Sequence, residues 1–315
     1  MAAADALPEL FPFIFFGCWN QPGIGDLPRD RVFEAVSSMH DIKAIVLGGD
    51  NVYPRPIPAG GKKTHEIAVF KEGIDKYMSL GKPIIPAFGN HNVEDKHVLE
   101  EQKTVFHLTT TYFQRDFAGG VHIVVLDSNI INNGPSDPEY KEMFDWFRSA
   151  IGSMPADHTY YLVQHDPYFT ARVKKGVPVI NELLHSDIFL ELMFARPPIA
   201  ILCADTHNYQ YSTIQSVETV GDPMRTLHQF IVGTGGANYD QHSPTFKTQR
   251  MRDRYMYTKI NIVEGFGFLR ISGPDPAAFD FIHVAKWSGG RRQLRSERKR
   301  HRRLSKQRRT RRNSR

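Results

Sequence analysis

Four short segments hold the residues whose types can do chemistry together: Gly48-Gly49-Asp50-Asn51-Val52-Tyr53, Gly89-Asn90-His91-Asn92, Gln164-His165-Asp166-Pro167 and Cys203-Ala204-Asp205-Thr206-His207-Asn208. They offer carboxylate, phenol, carboxamide and imidazole groups, which is a metal-ligand set. A carboxylate such as Asp50 can bridge two cations through its two oxygens, while imidazoles and an amide oxygen complete the coordination without adding charge. Two ions roughly 3.5–4 Å apart can hold a hydroxide and clamp phosphate oxygens, so hydrolysis of a phosphate ester is the natural reaction. Taken singly, a Gly-Asp or a His-Asp-Pro is more often a turn or a helix cap. Here each segment follows a run of β-formers, which places all four where a strand gives way to a loop.

The elements that must carry these segments are legible. Phe11–Phe16 and Ile45–Leu47 read as buried strands, joined by a helix that enters through Pro28 and Asp30 and sets Val32, Phe33, Val36 and Met39 on one face. A second helix over Thr64–Ser79 leads to a strand at Pro83–Ala87. Further strands are expected at Val121–Asp127, Tyr160–Gln164 and Ile199–Cys203, and helices at Tyr140–Ile151 and Glu182–Phe194. From Gln210 onward, strand-like runs succeed one another (Gln210–Val217, Leu227–Val232, Lys259–Val263, Phe268–Ile271, Phe279–Val284). Alternating β and α and then consecutive strands predict an α/β fold of two packed sheets flanked by helices, rather than one doubly wound sheet.

With 315 residues and 41% hydrophobic composition, the chain can build one large domain, assigned to residues 1–290. Residues 291–315 carry 14 Lys/Arg against the single acid Glu297, whereas residues 1–290 carry 26 basic against 33 acidic side chains. Apart from Leu294 and Leu304 the tail has no apolar residue, so it cannot offset chain entropy and should be disordered when free. Such a run fits nucleic acid or another polyanion, bound in a salt-sensitive, largely sequence-independent way. No aromatic residue is there to stack on bases.

Two cysteines, Cys18 and Cys203, and the lack of an Asn-x-Ser/Thr acceptor fit a reducing compartment. The longest apolar stretch, Leu10–Trp19, is interrupted by Pro12 and Gly17 and is about half the roughly 20 residues of a spanning helix. No basic residue precedes it, so neither a signal peptide nor a membrane partner is expected, and the address is intracellular, cytoplasmic or nuclear.

On the four segments the chain resembles the calcineurin-like metallophosphoesterases, and among them it is most similar to purple acid phosphatases of the tartrate-resistant kind. The similarity runs from about Phe13 to Ser272. It implies a four-layer α-β-β-α sandwich of two mixed sheets, and two metal ions (iron, zinc or manganese). By resemblance to the family's Gly-Asp-x-x-Tyr segment, Asp50 bridges the metals and Tyr53 holds the first. The Gly-Asn-His segment maps to Asn90 on the second metal and His91 as the group that contacts phosphate and protonates the leaving oxygen. His165 would join Asn90. Of the family's Gly-His-x-His, His207 matches on the first metal, and Asp205 stands in the place of the other His.

The opening departs further. The family's Gly-Asp-Trp-Gly reads Gly17-Cys18-Trp19-Asn20, so a thiol replaces a carboxylate. Cys18 is either a thiolate ligand, favouring zinc or iron, or a plain buried cysteine. Asp205 can coordinate through oxygen at the cost of one added negative charge.

The resemblance thus implies a phosphoesterase, monoesters favoured, working through a dinuclear centre and metal-bound hydroxide. Its rival is a catalytically degenerate fold that acts as a nucleic-acid-associated or structural protein through the tail. Outside the four segments, His122, His185 and His228 are expected to be packed in apolar surroundings. Residues Gly233-Thr234-Gly235-Gly236-Ala237-Asn238 should form a tight loop beside the site, since the Gly-Lys-Ser/Thr ending of a phosphate loop is missing. Pro54–Lys63, Asn92–Lys103 and Asn129–Pro138 are the expected specificity loops.

Overall fold

A computed structural model describes residues 6–21, 26–53, 67–174, 176–219, 225–237, 240 and 246–285. The chain divides into one unit over residues 1–285 and another over 286–315. The second, and with it the basic tail, lies outside the described residues, as does the expected specificity loop Pro54–Lys63.

In chain order the strands are β1 (Phe13–Phe16), β2 (Ala44–Leu47), β3 (Ile84–Pro86), β4 (Phe113–Phe117), β5 (Val121–Val125), β6 (Thr159–Val163), β7 (Phe169–Lys174), β8 (Val177–Glu182) and β9 (Ala200–Cys203). They continue with β10 (Tyr209–Ser216), β11 (Thr226–Val232), β12 (Thr248–Met251), β13 (Tyr255–Val263), β14 (Phe266–Ile271) and β15 (Phe279–Ala285). The helices are α1 (Asp26–Ser37), α2 (Ile67–Met78), α3 (Asn90–Val93), α4 (Lys96–Val105), α5 (Ser128–Asn133), α6 (Pro138–Ser153) and α7 (Asp187–Ala195).

One sheet has the order β15-β14-β1-β2-β3 and the other β12-β13-β10-β11-β9-β6-β5-β4, with β7 and β8 a separate hairpin. Both are mixed: β1 runs parallel to β2 and antiparallel to β14, and β11 lies parallel to β9 and antiparallel to β10. This is the α/β arrangement of two sheets flanked by helices that the element pattern predicts.

Strand β1 shows why its sequence is unbroken Phe-Ile-Phe-Phe. Phe13 meets Tyr161 of the opposite sheet edge-on at 5.2 Å, while Phe16 faces Tyr77 of α2 at 5.5 Å. A central strand buried on both faces has no polar side to show. The sheets also meet through Phe230 against Phe279 at 5.0 Å. Behind the larger sheet, α6 and α7 bury Met143, Phe147, Phe189 and Met193 against Leu162 and Ile201.

Most expected elements are present, with ends moved by a few residues. The expected helix Glu182–Phe194 begins instead at Asp187, because Val177–Glu182 pairs with Phe169–Lys174 as a hairpin. Its β-branched Val177, Val179 and Ile180 favour extended backbone, and Gly176 takes the positive φ (81°) that the reversal needs. His122 corrects another expectation. Its surroundings are polar, with Nδ1 2.7 Å from Asp116 Oδ1 and Nε2 2.8 Å from His158 Nδ1.

Candidate metal centre

Strands β1, β2, β3, β6 and β9 end on one rim, and each hands over to one of the segments singled out in the sequence. Ligand sites in sheets of this kind form beyond the carboxyl ends of strands, where the backbone is released from the ladder. The loops are stitched to one another: Cys18 N donates to Gly49 O at 3.0 Å, Ala204 N to His165 O at 2.9 Å, and Ala237 N to Cys18 O at 2.8 Å. The last bond sets the Gly233–Ala237 loop beside the site. Glycine is required at residue 89, where a Cβ would stand 2.3 Å from Asp50 Oδ1.

Three residues here have left-handed backbone without being glycine: Cys18 (φ 53°), Asp50 (φ 52°) and Asp205 (φ 45°). Such conformations cost on the order of 1–3 kcal/mol each and persist where surrounding structure imposes them, commonly at functional sites. Beside Cys18 and Asp50, buried amides pin the neighbouring segments. Asn51 Oδ1 accepts from Trp19 Nε1 at 2.9 Å, Asn51 Nδ2 donates to Ala87 O at 3.0 Å, and Asn92 Oδ1 accepts from Gly89 N at 2.7 Å. Asn51 and Asn92 stand within the chemical segments of the sequence, but only their partners reveal this role.

Cys18, Asp50 and His207 each offer a ligand atom, and these atoms all lie within 4.8 Å of one another. The Tyr53 hydroxyl is 3.2 Å from His207 Nε2. Burial, with the charge of Asp50 behind it, pushes the Cys18 thiol and the Tyr53 phenol well above their ordinary ranges. Neither ionises there without a cation to balance it. This donor set, a soft sulfur beside carboxylate, phenol and imidazole, fits a zinc or iron ion.

Beside it lies a second locus. His165 is fully buried; its Nδ1 donates to Gly48 O at 2.8 Å, and among the described residues its Nε2 makes no hydrogen bond. That nitrogen stands 3.4 Å from Asp50 Oδ1 and 4.0 Å from Asp205 Oδ1. An orphaned imidazole nitrogen between two carboxylates fits a cation as well. Burial opposes a charged imidazole, but Asp50, Asp166 and Asp205 together outweigh it and raise the His165 pKa to about 9. Asp166 is itself raised, to about 6, by burial and by Asp205; its Oδ2 accepts from Ser128 Oγ at 2.6 Å.

Asn90 and His91 open α3. His91 N donates to Asp50 Oδ1 at 3.2 Å, the His91 ring lies 4.8 Å from that of Tyr53, and its Nδ1 faces Glu94 at 3.1 Å. Asn90 is exposed at the same turn, between two residues that touch Asp50. One charged group beside these residues carries no signal in the sequence pattern: Arg172, from the β7–β8 hairpin, whose Nη1 is 3.5 Å from Asp205 Oδ2. Among the described residues, no helix is long and apolar enough to cross a membrane.

No family model matches the chain, and no curated protein matches it in sequence. Solved structures do match. The purple acid phosphatase PPD1 from seeds of yellow lupin (Lupinus luteus) superimposes with a TM-score of 0.60 at 14% identity, over 85% of this chain and 50% of that one. The chain therefore spans half the length of the lupin enzyme. GAP50, the anchor in the inner membrane complex of Plasmodium, gives 0.53 at 9% identity, over 88% and 90% of the two chains. PhoD gives 0.52 at 11% identity, over 92% and 74%. The chain shares its fold with these three proteins.

Proposed function

We propose that this chain is a metal-dependent phosphoesterase, with phosphate monoesters as the favoured substrates. The observation that carries the reading is the convergence of Cys18, Asp50 and His207 within 4.8 Å beside the orphaned Nε2 of His165. The first locus is then Cys18, Asp50, Tyr53 and His207, and the second is Asp50, Asn90, His165 and Asp205, with Asp50 shared. Iron, zinc or manganese bound there would supply Lewis acidity toward phosphoryl oxygens and acidify water.

The chain's own groups do the remaining work. Asp50, fixed by the His91 backbone N–H, sets the spacing of the two loci. His91 has Nδ1 turned to Glu94, which leaves Nε2 to deliver a proton to the leaving alcohol oxygen. The buried walls formed by Cys18, Tyr53 and Ala237 keep solvent from the first locus. Hydrolysis of an aryl phosphate by the metal-loaded chain, abolished by Asp50→Asn with loss of bound metal, is the expected result. Equal turnover by that variant would sink the assignment.

A second reading has its own support. The fold is shared with a protein described as an anchor, and Asp205 is paired with Arg172, so a degenerate fold that binds partners is the competing proposal. Its partner would be nucleic acid or another polyanion, held by the 14 cations of residues 291–315. A folded chain that takes up no metal and hydrolyses no ester, yet binds a polyanion through the tail, would favour it.

A further inference from the structure

Asp205 brings to the second locus one negative charge more than an imidazole would. The structure meets it from an unexpected direction. Arg172 projects from β7, and its Nη1 lies 3.5 Å from Asp205 Oδ2 and 3.9 Å from Asp240 Oδ2. The rest of the guanidinium is held by the neighbouring strand: with its amide turned to face Arg172, Asn181 Oδ1 accepts from Nε at 2.9 Å and from Nη2. Asp240 Oδ2 in turn accepts from His207 N at 3.2 Å, so Arg172 faces both Asp205 and the carboxylate that holds the backbone of His207.

Asp205 divides its oxygens. Oδ2 faces Arg172, while Oδ1 is left 4.0 Å from His165 Nε2, the buried nitrogen without a hydrogen-bond partner among the described residues. A 3.5 Å separation is that of a charge pair rather than a tight hydrogen bond. The left-handed backbone at Asp205 and the Ala204 N to His165 O bond already aim the carboxylate. Charge, not bracing, is what Arg172 adds.

We propose that Arg172 is the counter-ion of the second metal locus: its guanidinium, shared with the more distant Asp240, offsets the charge of Asp205 and brings that oxygen ligand nearer to the charge of a neutral imidazole. This rests on the phosphoesterase reading and deepens it. A bound ion keeps more of its Lewis acidity because the extra carboxylate charge is offset, and the guanidinium adds positive potential for the anionic ester.

The test is calorimetry on the full chain, titrating Zn2+ and then titrating inorganic phosphate into the zinc-loaded protein, with thermal melts alongside. For Arg172→Gln the second Zn2+ should bind roughly tenfold more tightly and phosphate roughly tenfold more weakly, on the scale of one unit charge a few ångströms from an ion. Arg172→Lys should restore most of both. Adding Asp205→His to Arg172→Gln should return the second Zn2+ to its wild-type affinity, since a neutral ligand needs no counter-ion. A merely structural arginine would weaken both ligands together with the melting temperature, without rescue by Asp205→His; that result, or no change in either affinity, overturns the assignment. Wild-type protein that takes up a single Zn2+ overturns it while leaving a metalloenzyme standing. No Zn2+ uptake at all removes the phosphoesterase reading and this assignment with it.

Discussion

His165 donates from Nδ1 to the carbonyl oxygen of Gly48 at 2.8 Å, across 117 residues of sequence. A carbonyl can only accept, so this bond fixes the proton of the neutral ring on Nδ1 and leaves the lone pair of Nε2 bare. The ring is thereby a ready ligand, aimed between Asp50 and Asp205.

Without metal, the same ring takes a second proton, because the surrounding carboxylates raise its pKa to about 9 after the cost of burial. Since the folded value exceeds the unfolded one, its stabilising contribution is complete below about pH 6.5 and is lost as pH rises through about 9. The amount is on the order of 3 kcal/mol. A metal must displace that proton, so its affinity should climb with pH up to about 9, with proton release seen by calorimetry in buffers of different ionisation enthalpy. Metal affinity flat between pH 6 and 9 would remove His165 from the ligand set.

Cys18 separates a soft site from a hard one. Its thiol is pushed up by burial and by Asp50, so in the metal-free protein it should resist alkylation at neutral pH. Loaded with Co2+, the chain should show a thiolate-to-cobalt band in the near ultraviolet. Cys18→Ser should lose that band and at least about tenfold in metal affinity. A band unchanged in the variant would make Cys18 a plain core residue.

Asn51 supports the site rather than joining it. Asn51→Ala leaves the indole N–H of Trp19 and the carbonyl of Ala87 buried without their partners. At about 1–3 kcal/mol for each group, the loss should be roughly 3 kcal/mol in urea unfolding. Trp19 fluorescence should shift in the folded variant. A cost below about 1 kcal/mol would show that other groups satisfy the indole.

Removal of residues 291–315 should leave ester hydrolysis intact and abolish binding to a polyanion such as heparin or duplex DNA. If about six or more of the 14 cations contact phosphates, affinity should fall roughly 1,000-fold or more between 50 and 200 mM salt. Equal DNA binding by the shortened chain at moderate salt would refute the tail's role.

The fold and the order of the site's parts are written in the local pattern of residues. Runs such as Phe13–Phe16 and Ala44–Leu47 are strands because β-branched and aromatic residues fill a two-faced core, and the loop that leaves each run must lie on the sheet's rim. Pattern and composition suffice for that. They do not report which backbone is forced left-handed, so the strain shared by Cys18, Asp50 and Asp205 is invisible in them, as is the choice between ligand and core for Cys18. They also say nothing of partners distant in sequence. The tautomer of His165 depends on Gly48, and Asp205 finds its ion-pair partner in Arg172, whose hairpin has no strong turn signature. Those relations exist only once the strands have taken their neighbours, because a hydrogen bond or a charge pair is set by distance in space and not by position along the chain.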